Sequence, residues 1–140
     1  HRGAGTATAS RQLPTLKGLR VLVVDDETDA REMVNATLTQ SGAEVRESSS
    51  VAEALEMIEE WHPDVLMSDI GMPDEDGYAL IRKVRSLSQE RGGGTPAAAL
   101  TAYAREEDRR LALAAGFHVH LSKPVGRGEL ITTVADLAGR

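Results

Sequence analysis

Five short apolar runs, each followed by a stretch with helical spacing, limit what this chain can fold into more than any single residue does. The first, LRVLVV over 19–24, is β-branched and apolar without alternation, the pattern of a strand buried on both faces. Behind it Ala30, Met33, Val34, Thr37 and Leu38 recur as one face of a helix, and Gly42 stands where a left-handed cap belongs. AEVRES around Val45 is a weaker second strand. Ser50 with Glu53 three residues on is a capping-box signature for a second helix, whose face is Val51, Ala54, Leu55 and Ile58 and whose stop is Pro63. DVLMSD is the third strand, before a helix carrying Tyr78, Ile81, Val84 and Leu87. A flexible loop at Gly92, Gly93 and Gly94 leads to PAAALTA, then to a helix from about Arg105 to Ala115 ended by Gly116. FHVHLS is the fifth strand, and a last helix runs through Leu130, Val134 and Leu137. Strands and helices in strict alternation predict an α/β domain, a parallel sheet covered on both faces through right-handed crossovers.

Composition adds boundaries and exclusions. A length of 140 residues fits one domain. Residues 1–17 are rich in Gly, Ala, Thr and Ser, lack an apolar period and contain Pro14, so they read as a disordered linker, with 18–140 as the folded domain. The chain starts at His1 and its first methionine is Met33, which predicts a piece of a longer polypeptide or a processed chain. Without cysteine there are no disulfides, thiolate metal sites or cysteine nucleophiles, and a reducing cytoplasmic setting is expected. The apolar runs are too short for a membrane span, so no membrane contact is expected. The net charge of −6 hides an asymmetry: residues 1–24 hold four bases and no acid, leaving 12 bases against 22 acids beyond them. An acidic domain argues against direct nucleic-acid binding, which needs clustered cations.

In an open parallel sheet, ligands gather at the carboxyl ends of the strands. The first strand ends in Asp25 and Asp26, the third in Asp69, the fourth in Thr101, and the fifth in Lys123 followed by Pro124. Taken singly, each has an ordinary role. Two acids suit the positive end of the next helix, Asp69 suits a turn, Thr101 is a β-former, and most lysines are solvated. Taken together, they read as carboxylates that need a hard divalent cation such as Mg²⁺, with an ammonium and a hydroxyl able to neutralise a phosphoryl group. A cis peptide at Lys123-Pro124 could aim that ammonium across the sheet.

Through VLVVDDE, DVLMSDIGMPDEDGY, ALTAYA and HLSKPV, the chain from Leu19 to about Leu137 resembles the receiver domains of two-component response regulators. The resemblance implies a flavodoxin-like, doubly wound five-stranded parallel sheet in the order 2-1-3-4-5 with five helices. It implies that Asp69 is the nucleophile, accepting a phosphoryl group from a phosphohistidine on a histidine kinase or histidine phosphotransfer domain. It further implies Mg²⁺ held by Asp26, Asp69 and the Gly71 carbonyl, with Asp25 acting largely through water, Lys123 paired with the phosphoryl group, and Thr101 moving toward it. The expected output is a change in the face formed by the fourth helix, fifth strand and fifth helix, which then selects a downstream protein. Such a module catalyses its own phosphotransfer and slow dephosphorylation. The sequence looks most like receivers joined C-terminally to hybrid sensor histidine kinases, with a stand-alone receiver as the alternative.

Three positions depart from the pattern. His120 stands three residues before Lys123, where receivers commonly carry Tyr or Phe. Gly71 and Tyr103, two residues after Asp69 and Thr101, supply no acid or amide to orient water. Other readings fit less well. No GxGxxG follows the first strand, so a dinucleotide site is disfavoured. A phosphatase of the haloacid dehalogenase kind needs a second Asp where Gly71 stands. Asp74 and Asp76 lack the 12-residue calcium pattern. A pseudo-receiver serving only for interaction is disfavoured by the complete acceptor set. Trp61, His62 and His118 read as structural, with Trp61 at the end of the second helix.

Overall fold

The computed structural model describes residues 13–102 and 105–140. Five strands alternate with five helices: β1 (Arg20–Val24), α1 (Thr28–Gln40), β2 (Glu44–Ser48), α2 (Val51–Trp61), β3 (Val65–Asp69), α3 (Gly77–Arg85), β4 (Ala97–Thr101), α4 (Glu106–Ala115), β5 (Val119–Ser122) and α5 (Arg127–Leu137). A 3₁₀ turn, Gln89–Arg91, precedes β4. The strands form one sheet in the order β2-β1-β3-β4-β5, every neighbouring pair parallel. This is the doubly wound, flavodoxin-like arrangement.

The alternation of side chains along β1 explains how both faces are covered. Val21 and Val23 join Leu38 of α1 and Leu130, Ile131 and Val134 of α5 in one apolar cluster. Leu22 and Val24 join Ile58 of α2, Leu80, Ile81 and Val84 of α3 and Ala112 of α4 in the other. Every residue of β3 and β4 is buried, which accounts for the lack of polar alternation over 65–67 and 97–100 before the polar strand ends. β2 lies at the edge, and its charged, alternating pattern suits a strand paired on one side.

The caps follow the residues. Ser50 Oγ accepts the Glu53 N–H at 3.3 Å, and the Glu53 carboxylate accepts from the Ser49 N–H at 3.4 Å, because the Ser50 N–H is taken by Ser48 Oγ. Gly42, at φ +108°, turns the chain after α1, where a side chain would run into the Lys17 backbone. Trp61 closes α2 and is 5% exposed, with the Arg46 guanidinium 4.6 Å from its ring centroid.

Most of the expected linker, residues 1–17, lies outside the described residues. Within its last part, Leu16 is fully buried in the cluster under α1 and α5, and its N–H donates to the Ser41 carbonyl at 2.8 Å. Packing against the domain thus begins before residue 18. Among the described residues, no helix is long and apolar enough to cross a membrane.

Candidate functional site

The carboxyl edge of the sheet brings the strand-end residues together. Asp69 is the last residue of β3 and Thr101 the last of β4, Asp25 follows β1, and Lys123 follows β5. Backbone bonds carry the ladder past the strand ends and fix these positions: Asp25 N–H to the Ser48 carbonyl at 3.1 Å, Ile70 N–H to Leu100 at 3.0 Å, and Lys123 N–H to Thr101 at 2.7 Å. The Lys123-Pro124 peptide is cis. The residues line a cleft of about 320 Å³ whose floor includes Asp25, Asp69, Thr101 and Lys123 and whose rim includes Asp26 and Gly71. A more apolar groove of about 400 Å³ lies alongside, between α1 and α5, with Met33, Val34 and Leu130 in its wall.

Charge in the cleft is unbalanced. Lys123 Nζ lies 2.9 Å from Asp69 Oδ1 and 3.3 Å from Asp25 Oδ2. Asp25, Asp26 and Asp69 each offer a carboxylate oxygen, all within 4.8 Å of one another, so three acids face one ammonium. Asp25 is 2% exposed and Asp69 6%, while Asp26 is exposed. Burial pushes the Asp25 pKa above 3.8, and the neighbouring Asp69 charge adds to this against the Glu27 N–H and Lys123. Burial also works against the Lys123 cation, but the Asp69 hydrogen bond and both carboxylate charges outweigh it and raise its pKa above 10.5. The two directions agree physically: the lysine has two anions, whereas Asp25 shares one cation with a competing anion. Hard oxygen donors with surplus negative charge match a divalent cation of the Mg²⁺ kind, so the donor set fits that ion.

Several residues that shape the site carry no sequence signal. Gly77, at the start of α3, donates its N–H to the Ile70 carbonyl at 3.0 Å, and a β-carbon there would sit 2.5 Å from the Asp69 carbonyl oxygen. The Glu27 N–H donates to Asp25 Oδ1 at 2.9 Å. Arg31 of α1 reaches the Asp25 carbonyl oxygen at 2.8 Å and Glu47 of β2 at 2.8 Å. Such contacts depend on how the loop after β1 meets α1 and β2, which spacing along the chain does not encode.

The departures also have places. A β-carbon added at Gly71 would meet nothing within 4 Å, and Tyr103 lies outside the described residues. His120 is half-buried with its Nε2 enclosed and without a hydrogen-bond partner, and burial holds its pKa below 6.5 despite the nearby Asp108 charge. His118 has a structural task, since its Nδ1 accepts the Ala97 N–H at 3.1 Å. Asp76 caps α3, accepting from the Ala79 N–H at 2.9 Å, and His62 ends α2 in the left-handed region.

Comparison with known proteins gives concordant results. Residues 21–135 match the family described as the response regulator receiver domain. An uncharacterised 14.6 kDa protein of Leptolyngbya boryana is 46% identical over 122 residues, covering 87% of this chain and 92% of that protein. Hybrid signal transduction histidine kinase D of Dictyostelium discoideum is 32% identical over 128 residues, 87% of this chain but only 8% of the kinase. Among solved structures, the receiver domain of sensor histidine kinase PA1611 from Pseudomonas aeruginosa PAO1 has a TM-score of 0.79 at 31% identity, covering 88% of this chain and 99% of that one. That structure has a magnesium ion coordinated in its active-site cleft.

Proposed function

The chain belongs to the response regulator receiver domain family, and from that premise we propose that it is a phosphoryl-accepting switch in which Asp69 is the acceptor. The observation that carries this reading is the placement of the Asp69 carboxylate 2.9 Å from Lys123 Nζ, inside a cluster that also holds Asp25 and Asp26. A carboxylate oxygen of Asp69 attacks phosphorus, the bond from phosphorus to the donor nitrogen breaks, and an aspartyl phosphate forms while the donor histidine leaves with a proton from solvent. Lys123 neutralises the incoming phosphoryl charge, and the Thr101 hydroxyl donates to another of its oxygens. Asp26, Asp69 and the Gly71 carbonyl are the residues to hold Mg²⁺, with Asp25 engaged through water because its own oxygens already accept from Glu27 and Lys123. The ion, when bound, supplies positive charge at the transferring group.

The phosphodonor is a histidine kinase or a histidine phosphotransfer domain, and the output passes through the face of α4, β5 and α5 to a downstream protein. A receiver within a hybrid sensor kinase has the support of the Dictyostelium and Pseudomonas relatives. A stand-alone receiver has the support of the 14.6 kDa relative, nearly the whole of which is matched. Sequencing the gene upstream of His1 separates the two contexts.

Incubation with acetyl phosphate and Mg²⁺ tests the chemistry. One phosphoryl group per chain, lost in Asp69→Asn, is the expected result. Continuous release of phosphate without a labelled protein would point to a phosphatase, and no labelling in any condition to a binding module. Full labelling of Asp69→Asn would overturn the assignment of the acceptor.

A further inference from the structure

We propose that Arg31 is a positioning residue for the acid pair Asp25 and Asp26, acting through the peptide group that joins them; this rests on reading the pair as part of a Mg²⁺ site. Arg31 Nη1 donates to the Asp25 carbonyl oxygen at 2.8 Å. That oxygen belongs to the peptide between the two acids, and because a peptide is planar, holding it also sets the direction in which the Asp26 Cα departs. Asp25 has further anchors in Ser48, Glu27 and Lys123. Asp26 is exposed, so the plane of the preceding peptide is a main determinant of where its carboxylate points.

Arg31 is braced in turn. Its Nε donates to Glu47 Oε1 at 2.8 Å, and the other Glu47 oxygen accepts from Asn35 Nδ2 at 2.6 Å. Glu47 stands opposite Val23 in the ladder between β2 and β1. The edge strand supplies no side chain to the cleft itself, yet through this brace it reaches the ligand-bearing loop. The Arg31 side chain is 16% exposed, so the pair is better shielded than an ordinary surface ion pair. A guanidinium suits the task because its planar fork serves two acceptors in different directions at once, which an ammonium does less well.

The sign of the effect distinguishes positioning from simple charge. A guanidinium near a cation site repels the cation, so a role by charge alone makes Mg²⁺ bind more tightly once Arg31 is removed. Positioning gives the opposite result. Isothermal titration of Mg²⁺ into the whole chain, with urea unfolding in EDTA as the measure of folding, decides between them. Arg31→Met is expected to weaken Mg²⁺ binding by about 10-fold, in keeping with residues that orient metal ligands. Arg31→Lys recovers part of the loss, and Glu47→Gln weakens binding in the wild type but not in Arg31→Met, since the brace acts through Arg31. Unchanged or tighter binding in folded Arg31→Met overturns the proposal, as does lower stability in EDTA at wild-type Mg²⁺ affinity. If Arg31→Met does not fold, wild-type affinity in both Arg31→Lys and Glu47→Gln overturns it. A wild-type chain that binds no Mg²⁺, or an Asp26→Asn variant that binds it undiminished, rejects the metal site instead.

Discussion

Asp25 is a buried anion whose neighbours include a second buried anion, and its protonation records the cost. Its pKa is raised in the folded chain, so the folded state holds this proton more tightly than the unfolded state. The stability it contributes is complete below 3.8 and is lost as pH rises through the higher folded value. Urea unfolding in EDTA across the acid range should therefore show Asp25→Asn gaining on the wild type as pH rises through that window, and added Mg²⁺ should shrink the gain. A constant difference at every pH would contradict this. Gly71 gives a second test at this scale, because there is room for a side chain at the rim. An amide placed there can orient water, so Gly71→Asn should lose its phosphoryl group faster than the wild type in a decay assay; equal or slower decay would contradict it. The five chemical side chains could be read from the sequence because each marks a strand exit. Arg31 and Glu27 could not, since their bonds to Asp25 arise from the local geometry after β1.

At the scale of elements, the entry to α3 packs against the backbone of Asp69, the proposed acceptor. Asp76 caps the helix, and Gly77 lies so close to the backbone of Asp69 and Ile70 that any β-carbon collides with it. Gly77→Ala should cost about 1–3 kcal/mol in urea unfolding, the range for forced overpacking, and, on the proposed assignment of Asp69 as acceptor, should slow its labelling because the displaced atoms are that residue's own backbone. Wild-type stability together with wild-type labelling would show that the loop yields freely. The strands and helices themselves were legible because burial on both sheet faces leaves unbroken apolar runs, as over 21–24 in β1, and one-sided burial leaves a helical stripe, as in α2. The glycine contact was not, since a tight approach between two backbones leaves no mark on hydrophobic pattern. Leu16 escaped for a related reason: an apolar residue shortly after Pro14, in a stretch without a period, gives no pattern to read, although it packs fully into the core.

For the whole molecule, the excess of acid beyond residue 24 includes three carboxylates gathered at one end of the sheet against a single lysine. A cation that binds the folded state alone should stabilise it by mass action, about 2.7 kcal/mol at roughly a hundredfold excess over Kd. Asp26→Ala should lose most of that gain in thermal unfolding, and identical Mg²⁺ responses would return these acids to ordinary surface charge. The acceptor itself is tested most directly by mapping the label. After reaction with acetyl phosphate and Mg²⁺, borohydride reduction converts an aspartyl phosphate to homoserine, which peptide mass spectrometry can locate. Homoserine at position 69, dependent on Mg²⁺ and absent in EDTA, is the expected result; homoserine at Asp25 or Asp26, or none at 69 in fully labelled protein, would contradict it.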